Sequence, residues 1–471
     1  MSTPRVAVVG GGIAGLTAAY ELRDRGLDVT LVEAEARYGG KIHTSRTVDG
    51  LVVEAGADSF LSSKPAGLAL CERLGISTRV IDSKPDDRRT FVWSRGRLRP
   101  LPEGLVLGSP ARAGALLRSG LLSPAGAARM ALDLAVPARR DGAEETIGDF
   151  FTRRLGREAY ERVVEPLLAG IHAGDATKLS LPALFPRFAD MEREHGGLVR
   201  AALAARRNGS GVPAPAAGAG GHSPFVSLVG GMGELTESLV ALLSASGAQL
   251  MAGTRVIGLA TDGGGWRLTI EPGEALEADA VILATPAFVT AGLVRTLSPP
   301  AAALLDAIPH ASTATVSVAY PADAIRGIPQ GYGFVVPRVE ARQLIAATWS
   351  SNKWPSRVIP GQHIIVRGYV GGVGREWVLN GTDDDLVHIV QAELRILAGL
   401  DGDPVHTEVH RYPQGMPQYT IGHVERVARI RAELAAWPGL AVTGAAYNGV
   451  GIPDCISDAT ATAAAVANRL T

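Results

Sequence analysis

The sequence predicts an α/β protein, α+β over the whole chain, whose first unit is a Rossmann-like, doubly wound parallel sheet. Three observations predict it. Val6 to Val9 form an unbroken apolar run, as a parallel strand buried on both faces requires. The run turns through Gly10, Gly11 and Gly12 into a helical pattern from Leu16 to Arg25, with Gly26 as its stop. A second apolar strand, Val29 to Val32, follows at the spacing of a strand, helix and strand unit.

Each part of that unit has a physical task. Gly10, Gly12 and Gly15 stand in G-x-G-x-x-G spacing. The first permits the tight bend, the second lets a pyrophosphate approach the backbone, and the third lets the helix pack on the strand. Backbone N–H groups at the helix start, around Ile13 and Ala14, then face the phosphates. Glu33, at the end of the second strand, is placed to accept both hydroxyls of an adenosine ribose, which argues against a 2′-phosphate. Ala34, the pair Gly39 and Gly40, and Lys41 come next, where flavoproteins reach round the ribose and pyrophosphate. No second complete fingerprint follows, so one dinucleotide carries the redox chemistry. A flavin suits that, because it is reoxidised in place.

Residues 51–59 read as a strand leading into a glycine loop, Gly56-Ala57-Asp58-Ser59, and then a helix from Pro65 to Leu74. An aromatic, arginine-rich hairpin at 88–102 marks departure from the nucleotide unit. Residues 103–200 alternate short helices with Pro and Gly breaks, and their interleaved leucines and arginines fit a cavity cover, a lipid-facing surface or an ordinary helical unit. A Gly/Ala/Pro-rich stretch at 207–224 reads as a linker. Beyond it come a loop, helix and strand (225–250), a hairpin turning at 263–265 and an apolar strand at 279–285, which return the chain to the first sheet. Aromatic-bearing strands across 300–405, with a helix from Asp383 to Leu397, read as a separate mixed sheet. The end repeats strand, glycine loop and helix, with Gly444, Val450, Gly451 and Ile452 at the loop. A second helix start aimed at the cofactor implies one long ligand bridging both, and FAD has that length. The expected division is a discontinuous FAD-binding domain (1–98, 225–299, 406–471), a helical cover (99–206), a linker (207–224) and a substrate domain (300–405).

Composition narrows the class. A chain of 471 residues with 46 basic and 47 acidic side chains has no electrostatic footprint for nucleic acid. Cys71 and Cys455 are too few for a disulfide framework or metal site, and a reducing, cytoplasmic setting is expected. The strand begins at Val6, leaving no room for an export signal, and no apolar run is long enough to span a bilayer. Only five cations are lysines: Lys41, Lys64, Lys84, Lys178 and Lys353.

The segments "GGGIAGL", "EAEARYGGKIHT", "GADSFLSSK", "EPLLAGIHAGDATKLSL", "TWSSNKWP", "MPQYTIGH" and "GVGIPDCI" stand in the order found in one family. The chain resembles the oxygen-dependent porphyrinogen oxidases, most closely the coproporphyrinogen III oxidases of Gram-positive bacteria. The resemblance implies a fold like that of the monotopic amine oxidases: an FAD domain, a substrate domain and a helical membrane-side domain. It implies non-covalent FAD, one per chain, O₂ as acceptor, H₂O₂ as product, and hand-over of the porphyrin to the next enzyme of haem synthesis. Peripheral contact with the inner face of the cell membrane belongs to the same expectation. The implied cofactor contacts are Gly10 to Gly15, Glu33, Ala34, Gly40, Lys41, Gly56 to Ser59, Val256, Tyr412, Gly444 and Val450 to Ile452. Many relatives carry tryptophan where this chain has Tyr412.

Six-electron oxidation of a porphyrinogen needs a dry flat slot, orientation and an exit for pyrrole protons. No catalytic triad or acid pair is expected. The substrate's propionates need cations at the rim, for which Lys64 is the first candidate, then Arg89, Arg95 and Lys353. Ile171 and Tyr369 are expected as apolar walls. His172, His310, His410 and His423 lack metal spacing and read as structural, as do Lys178 and Cys71, and Cys455 is expected to carry no flavin link. Protoporphyrinogen oxidation, another flavin amine oxidase or a desaturase, and a non-catalytic binder of the same fold are the alternatives.

Overall fold

A computed structural model describes residues 3–84, 89–102, 113–207, 221–323 and 330–470. Most of the expected linker at 207–224, and residues 103–112 of the expected helical unit, lie outside the described residues.

The nucleotide unit is a five-stranded, all-parallel sheet in the order Gln249–Met251, Asp28–Val32, Arg5–Val9, Ala280–Leu283, Leu440–Val442. Both faces are covered. Val6, Val8, Val29, Leu31 and Ile282 pack under helices Ile13–Asp24, Gly233–Ala245 and Ile452–Leu470. Ala7, Val9, Val281 and Leu283 face the opposite core with Trp266, Leu268 and Ile430. Alternate residues thus enter two different cores, which is why the strand reads as a continuous apolar run. After Arg5–Val9 the chain adds strands on one side and later returns on the other. That reversal opens a crevice at the strand's carboxyl end, where ligands bind in such sheets.

The first helix begins at Ile13, three residues before the apolar periodicity does, because Gly12 is already its N-cap. The hairpin at 256–270 is present and gains a third strand, Glu274–Ala278.

The second unit is a seven-stranded mixed sheet in the order His406–Pro417, His310–Pro321, His363–Gly371, Leu344–Trp349, Gly333–Val335, Thr90–Ser94, Arg97–Pro100. Its outer face buries Val316, Val318, Leu344, Trp349 and Phe91 against helix Asp383–Ala398. Two expected boundaries, at 98 and 406, cut through this sheet. The 90–100 hairpin pairs with Gly333–Val335 (Phe91 to Phe334), and the 406–417 strand pairs with His310–Pro321 (His410 to Thr315). Both belong to the sheet because their backbone partners lie there.

Residues 113–207 form short helices around Phe150, Phe151, Leu155, Val163, Leu168 and Phe188, and this core takes in Val92 from the sheet. Not every arginine here is solvated: Arg154 is wholly buried and ion-paired with Asp133 at 2.5 Å. Among the described residues no helix is long and apolar enough to cross a membrane.

Candidate flavin site and substrate cleft

The three glycines of the first turn differ in what a side chain would meet. A Cβ on Gly10 (φ +107°) would lie 2.8 Å from the Ala284 carbonyl, and one on Gly15 would lie 1.8 Å from that of Gly10. On Gly12 it would meet nothing within 4 Å. The outer two are therefore forced by packing, and the middle one faces the open crevice. No side chain caps the helix that starts here and its first turn holds no acid, so its N–H groups remain available to an anion.

Glu33 sits beside the turn, accepting from the Gly11 N–H at 2.5 Å and the Glu35 N–H at 2.8 Å. Gly39 bonds the Gly11 carbonyl at 2.8 Å, and a Cβ on Gly40 would come 3.2 Å from the Gly12 Cα. The glycine pair thus lies flat on the first turn, which a bulkier pair could not do. Lys41 keeps exposed surface although protein surrounds it, as a residue lining a deep cleft does. Desolvation lowers its ammonium pKa. Ala34 is exposed beside Glu33. The Val256 side chain is buried in the core, which leaves only its backbone to face a cofactor.

The carboxyl-terminal loop meets the same crevice. A Cβ on Gly444 (φ +123°) would lie 3.9 Å from the Ala14 Cβ. Asp458 holds this loop from behind, accepting from Thr443 Oγ1 (2.7 Å), the Gly444 N–H (3.3 Å) and Asn448 Nδ2 (2.6 Å), and pairing with Arg431. The Tyr419 hydroxyl donates to the Ala445 carbonyl and accepts from the Gly449 N–H, both at 2.7 Å. His423 stacks on Tyr419 with ring centres 3.7 Å apart. Val450, Gly451 and Ile452 follow at the start of the last helix, which packs along the first. These glycine surfaces suit a long dinucleotide entered from both chain ends.

Cys455 is buried there, its thiol within 3.8 Å of the Gly449 carbonyl and its pKa pushed up to about 12 by burial. Cys71 is core, its thiol likewise raised, to about 11. Neither is a nucleophile in this setting.

The substrate candidates separate. Tyr369 and Tyr412 lie on the sheet's inner face, because they pair with Thr315 and Thr313, two residues apart on the strand between them. Ile171 is 51% exposed near the end of helix Glu165–His172. Lys64 caps helix Pro65–Arg73 and bonds both Asp454 oxygens at 2.6 Å while remaining half exposed. Arg89 is exposed, with its guanidinium 5.9 Å from the Phe91 ring centre.

Lys353 requires correction, whereas Arg95, like Lys64, is paired with a carboxylate while its side chain keeps exposed surface. Lys353 is buried and bonds Asp58 (3.1 Å) and Ser59 (3.2 Å), so its charge serves the 56–59 loop rather than a propionate. Arg95 bonds the Gly120 carbonyl (2.7 Å) and Glu158 (2.6 Å), fastening the hairpin to the helical unit.

Two motifs distant in sequence also meet. Ser180 N–H bonds the Tyr419 carbonyl (2.8 Å), Leu179 bridges Thr420, and Gln418 Nε2 donates to the His172 carbonyl (3.0 Å). "AGIHAGDATKLSL" and "MPQYTIGH" are therefore one structure, joining the helix of Ile171 to the loop at 444–451. His172 and His423 are held neutral inside it, each pKa pushed down to about 4, chiefly by burial. Burial lowers His310 as well, and His410 is bonded to Glu408. Among the described residues no cluster suits a metal ion.

Sequence reading missed Arg367, Arg357, Glu54, Tyr419 and Asp458 as site-forming residues. Lys353, singled out by its rarity as a residue type, belongs to the same site in a different role.

Comparison with known proteins agrees with this geometry. The profile of the flavin containing amine oxidoreductases matches residues 13–467. The coproporphyrinogen III oxidase of Bacillus subtilis (strain 168) is 36% identical, over 99% of this chain and 98% of its own length. That of Propionibacterium freudenreichii subsp. freudenreichii is 37% identical, over 96% and 89%. A crystal structure from Exiguobacterium sp. 255-15, named for protoporphyrinogen oxidase, superimposes with a TM-score of 0.87 at 30% identity over 99% of both chains. Since the likeness runs through every unit of the fold and not the nucleotide fingerprint alone, the chain belongs to the flavin containing amine oxidoreductases and, within them, to the porphyrinogen oxidases.

Proposed function

We propose that this enzyme oxidises coproporphyrinogen III to coproporphyrin III with non-covalent FAD, one per chain, consuming three O₂ and releasing three H₂O₂. FAD, when bound, supplies the hydride acceptor and returns the electrons to O₂. The observation that carries the reading is the joined motif pair, which links the helix of Ile171 to the loop at 444–451, as a slot against the flavin would require.

Within that slot Tyr369 and Tyr412 form the roof, Ile171 an apolar wall, and Lys64 a cation for a propionate. The amides of Gly56 to Ser59 and Val450 to Ile452 orient the flavin end. Gly10 to Gly15, Glu33, Ala34, Gly40 and Lys41 hold the adenosine and pyrophosphate. No protein acid or base is required at the bridge carbon, because the substrate gains aromaticity as it loses hydride. Pyrrole protons pass to water at the slot mouth.

The test is the ratio of kcat/KM on coproporphyrinogen and protoporphyrinogen, read by porphyrin fluorescence. A tenfold preference for the latter reverses the substrate assignment, and a protein showing no 450 nm band after flavin is supplied is no oxidase.

The same reading includes peripheral membrane contact from the cytoplasmic side. Leu117, Leu132, Leu134 and Leu203 are each at least 40% exposed on the helical unit, and Arg200 bonds the Leu134 carbonyl at 2.8 Å. Such a surface suits lipid headgroups. Sedimentation with anionic liposomes at low and high salt checks it, and no sedimentation at low salt removes it. Release of the porphyrin to the next enzyme of haem synthesis completes the proposed role.

A further inference from the structure

The loop at 54–59 has its carbonyl oxygens tied down from one side. Arg367 Nη1 donates to those of Glu54 (3.1 Å) and Gly56 (2.8 Å). Thr315 Oγ1 donates to that of Ala55 (2.6 Å), and Ser227 Oγ to that of Asp58 (2.7 Å). Among the described residues no protein acceptor takes the N–H groups of Gly56, Ala57 or Asp58. A peptide N–H points opposite to the carbonyl of its own plane, so the bonds to the Ala55 and Gly56 carbonyls turn the Gly56 and Ala57 N–H groups away from Thr315 and Arg367.

Behind the loop lies a buried charge cluster. Glu54 and Asp58 supply two negative groups, and Lys353, Arg357 and Arg367 three positive ones, all at most 9% exposed. Asp58 pairs with Lys353 at 3.1 Å and Arg367 at 3.3 Å, and Glu54 pairs with Arg357 at 2.9 Å. One positive charge is left over. Arg367 also donates through Nε to the Tyr369 hydroxyl at 2.9 Å, so one guanidinium touches both the loop and the slot wall.

We propose that Arg367 is a positioning residue that raises the reduction potential of the bound flavin, by aiming the Ala57 amide at it, beside the Gly56 amide that Thr315 aims, and by placing the excess positive charge behind them. Reduction adds electron density to the flavin, and aligned N–H groups and a nearby buried cation stabilise that form more than the oxidised one. The inference rests on the reading above that the flavin end lies at this loop.

The test is the two-electron midpoint of the holoenzyme, measured by anaerobic dye equilibration while the 450 nm band is followed. Arg367→Met is expected to lower the ratio of reduced to oxidised flavin at fixed potential by at least tenfold, a fall of about 30 mV for a two-electron couple. Arg367→Lys, which keeps the charge and loses the fork, should recover at least half of that fall. Thr315→Val releases one carbonyl without removing charge and should lower the ratio by about threefold. It carries the test alone if Arg367→Met yields no folded holoenzyme. Flavin bound with its midpoint unmoved in the folded variants overturns the proposal. A wild-type chain that binds no flavin overturns the site reading instead.

Discussion

The glycine turn at 10–15 and the loop at 54–59 are both proposed to hold the cofactor, yet they are held in opposite ways. The turn is shaped mostly by nearby sequence: Gly15 is forced by the Gly10 carbonyl five residues away and Glu33 reaches Gly11 across 22 positions, with the Ala284 carbonyl against Gly10 as its distant constraint. The loop is shaped by strangers. Arg367 lies 311 positions from Gly56, Thr315 260 from Ala55, and Ser227 169 from Asp58. A locally determined element carries a motif, whereas one determined at long range is written in ordinary residues scattered along the chain.

Substitutions can break or sharpen that contrast. The largest effect is expected at Gly15→Val, where the new side chain would collide with the Gly10 backbone. Overpacking of this kind costs about 1–3 kcal/mol or more, and both the apoprotein's urea midpoint and the 450 nm band should fall. Gly12→Val should separate the two readouts. With nothing within 4 Å, the unfolding free energy from urea titration should stay within about 0.5 kcal/mol of the parent, while flavin affinity drops at least 100-fold by fluorescence titration. Equal loss of stability at both positions would end the distinction between packing glycines and a ligand-facing one.

Tyr419→Phe comes next, since it strips the Ala445 carbonyl and the Gly449 N–H of a shared partner. A loss of about 1–3 kcal/mol is expected, with FAD bound about tenfold more weakly. Lys64→Met should raise the KM for coproporphyrinogen several-fold and leave the flavin spectrum alone, and an unaltered KM removes Lys64 from the substrate site.

A further effect concerns pH. His172 and His423 have folded pKa values near 4, below the unfolded value of about 6.5. Between those limits the unfolded chain binds more protons, so stability rises with pH through that window and is lost as pH falls. Each group adds a slope of up to about 1.4 kcal/mol per pH unit. His172→Gln should flatten the curve of urea midpoint against pH between about 4 and 6.5, and an unchanged slope would show that the ring is not held neutral.

The same contrast explains what was legible. The parallel sheet, the first turn, Glu33 and the Gly39–Gly40 pair were readable because strand periodicity and glycine spacing are local signals. Sheet membership was not: the 90–100 hairpin reads only as a departure from the nucleotide unit until its partner, Phe334, is known. Lys353 and Arg95 were singled out as cations, but their carboxylate partners Asp58 and Glu158 are close only in space. Tyr419 and Asp458 could not be told from core and surface residues without the loop they support.

The first and last helices, Ile13–Asp24 and Ile452–Leu470, lie against each other, and the strand Leu440–Val442 completes the sheet that Arg5–Val9 began. During synthesis the amino-terminal strand must therefore wait, exposed, for a neighbour at 280–283 and an edge at 440–442. At about 5–20 residues per second that interval lasts tens of seconds. With the proposed contacts drawn from both ends, the cofactor site is complete only when the chain almost is, so starvation for flavin should leave full-length apoprotein rather than stalled fragments.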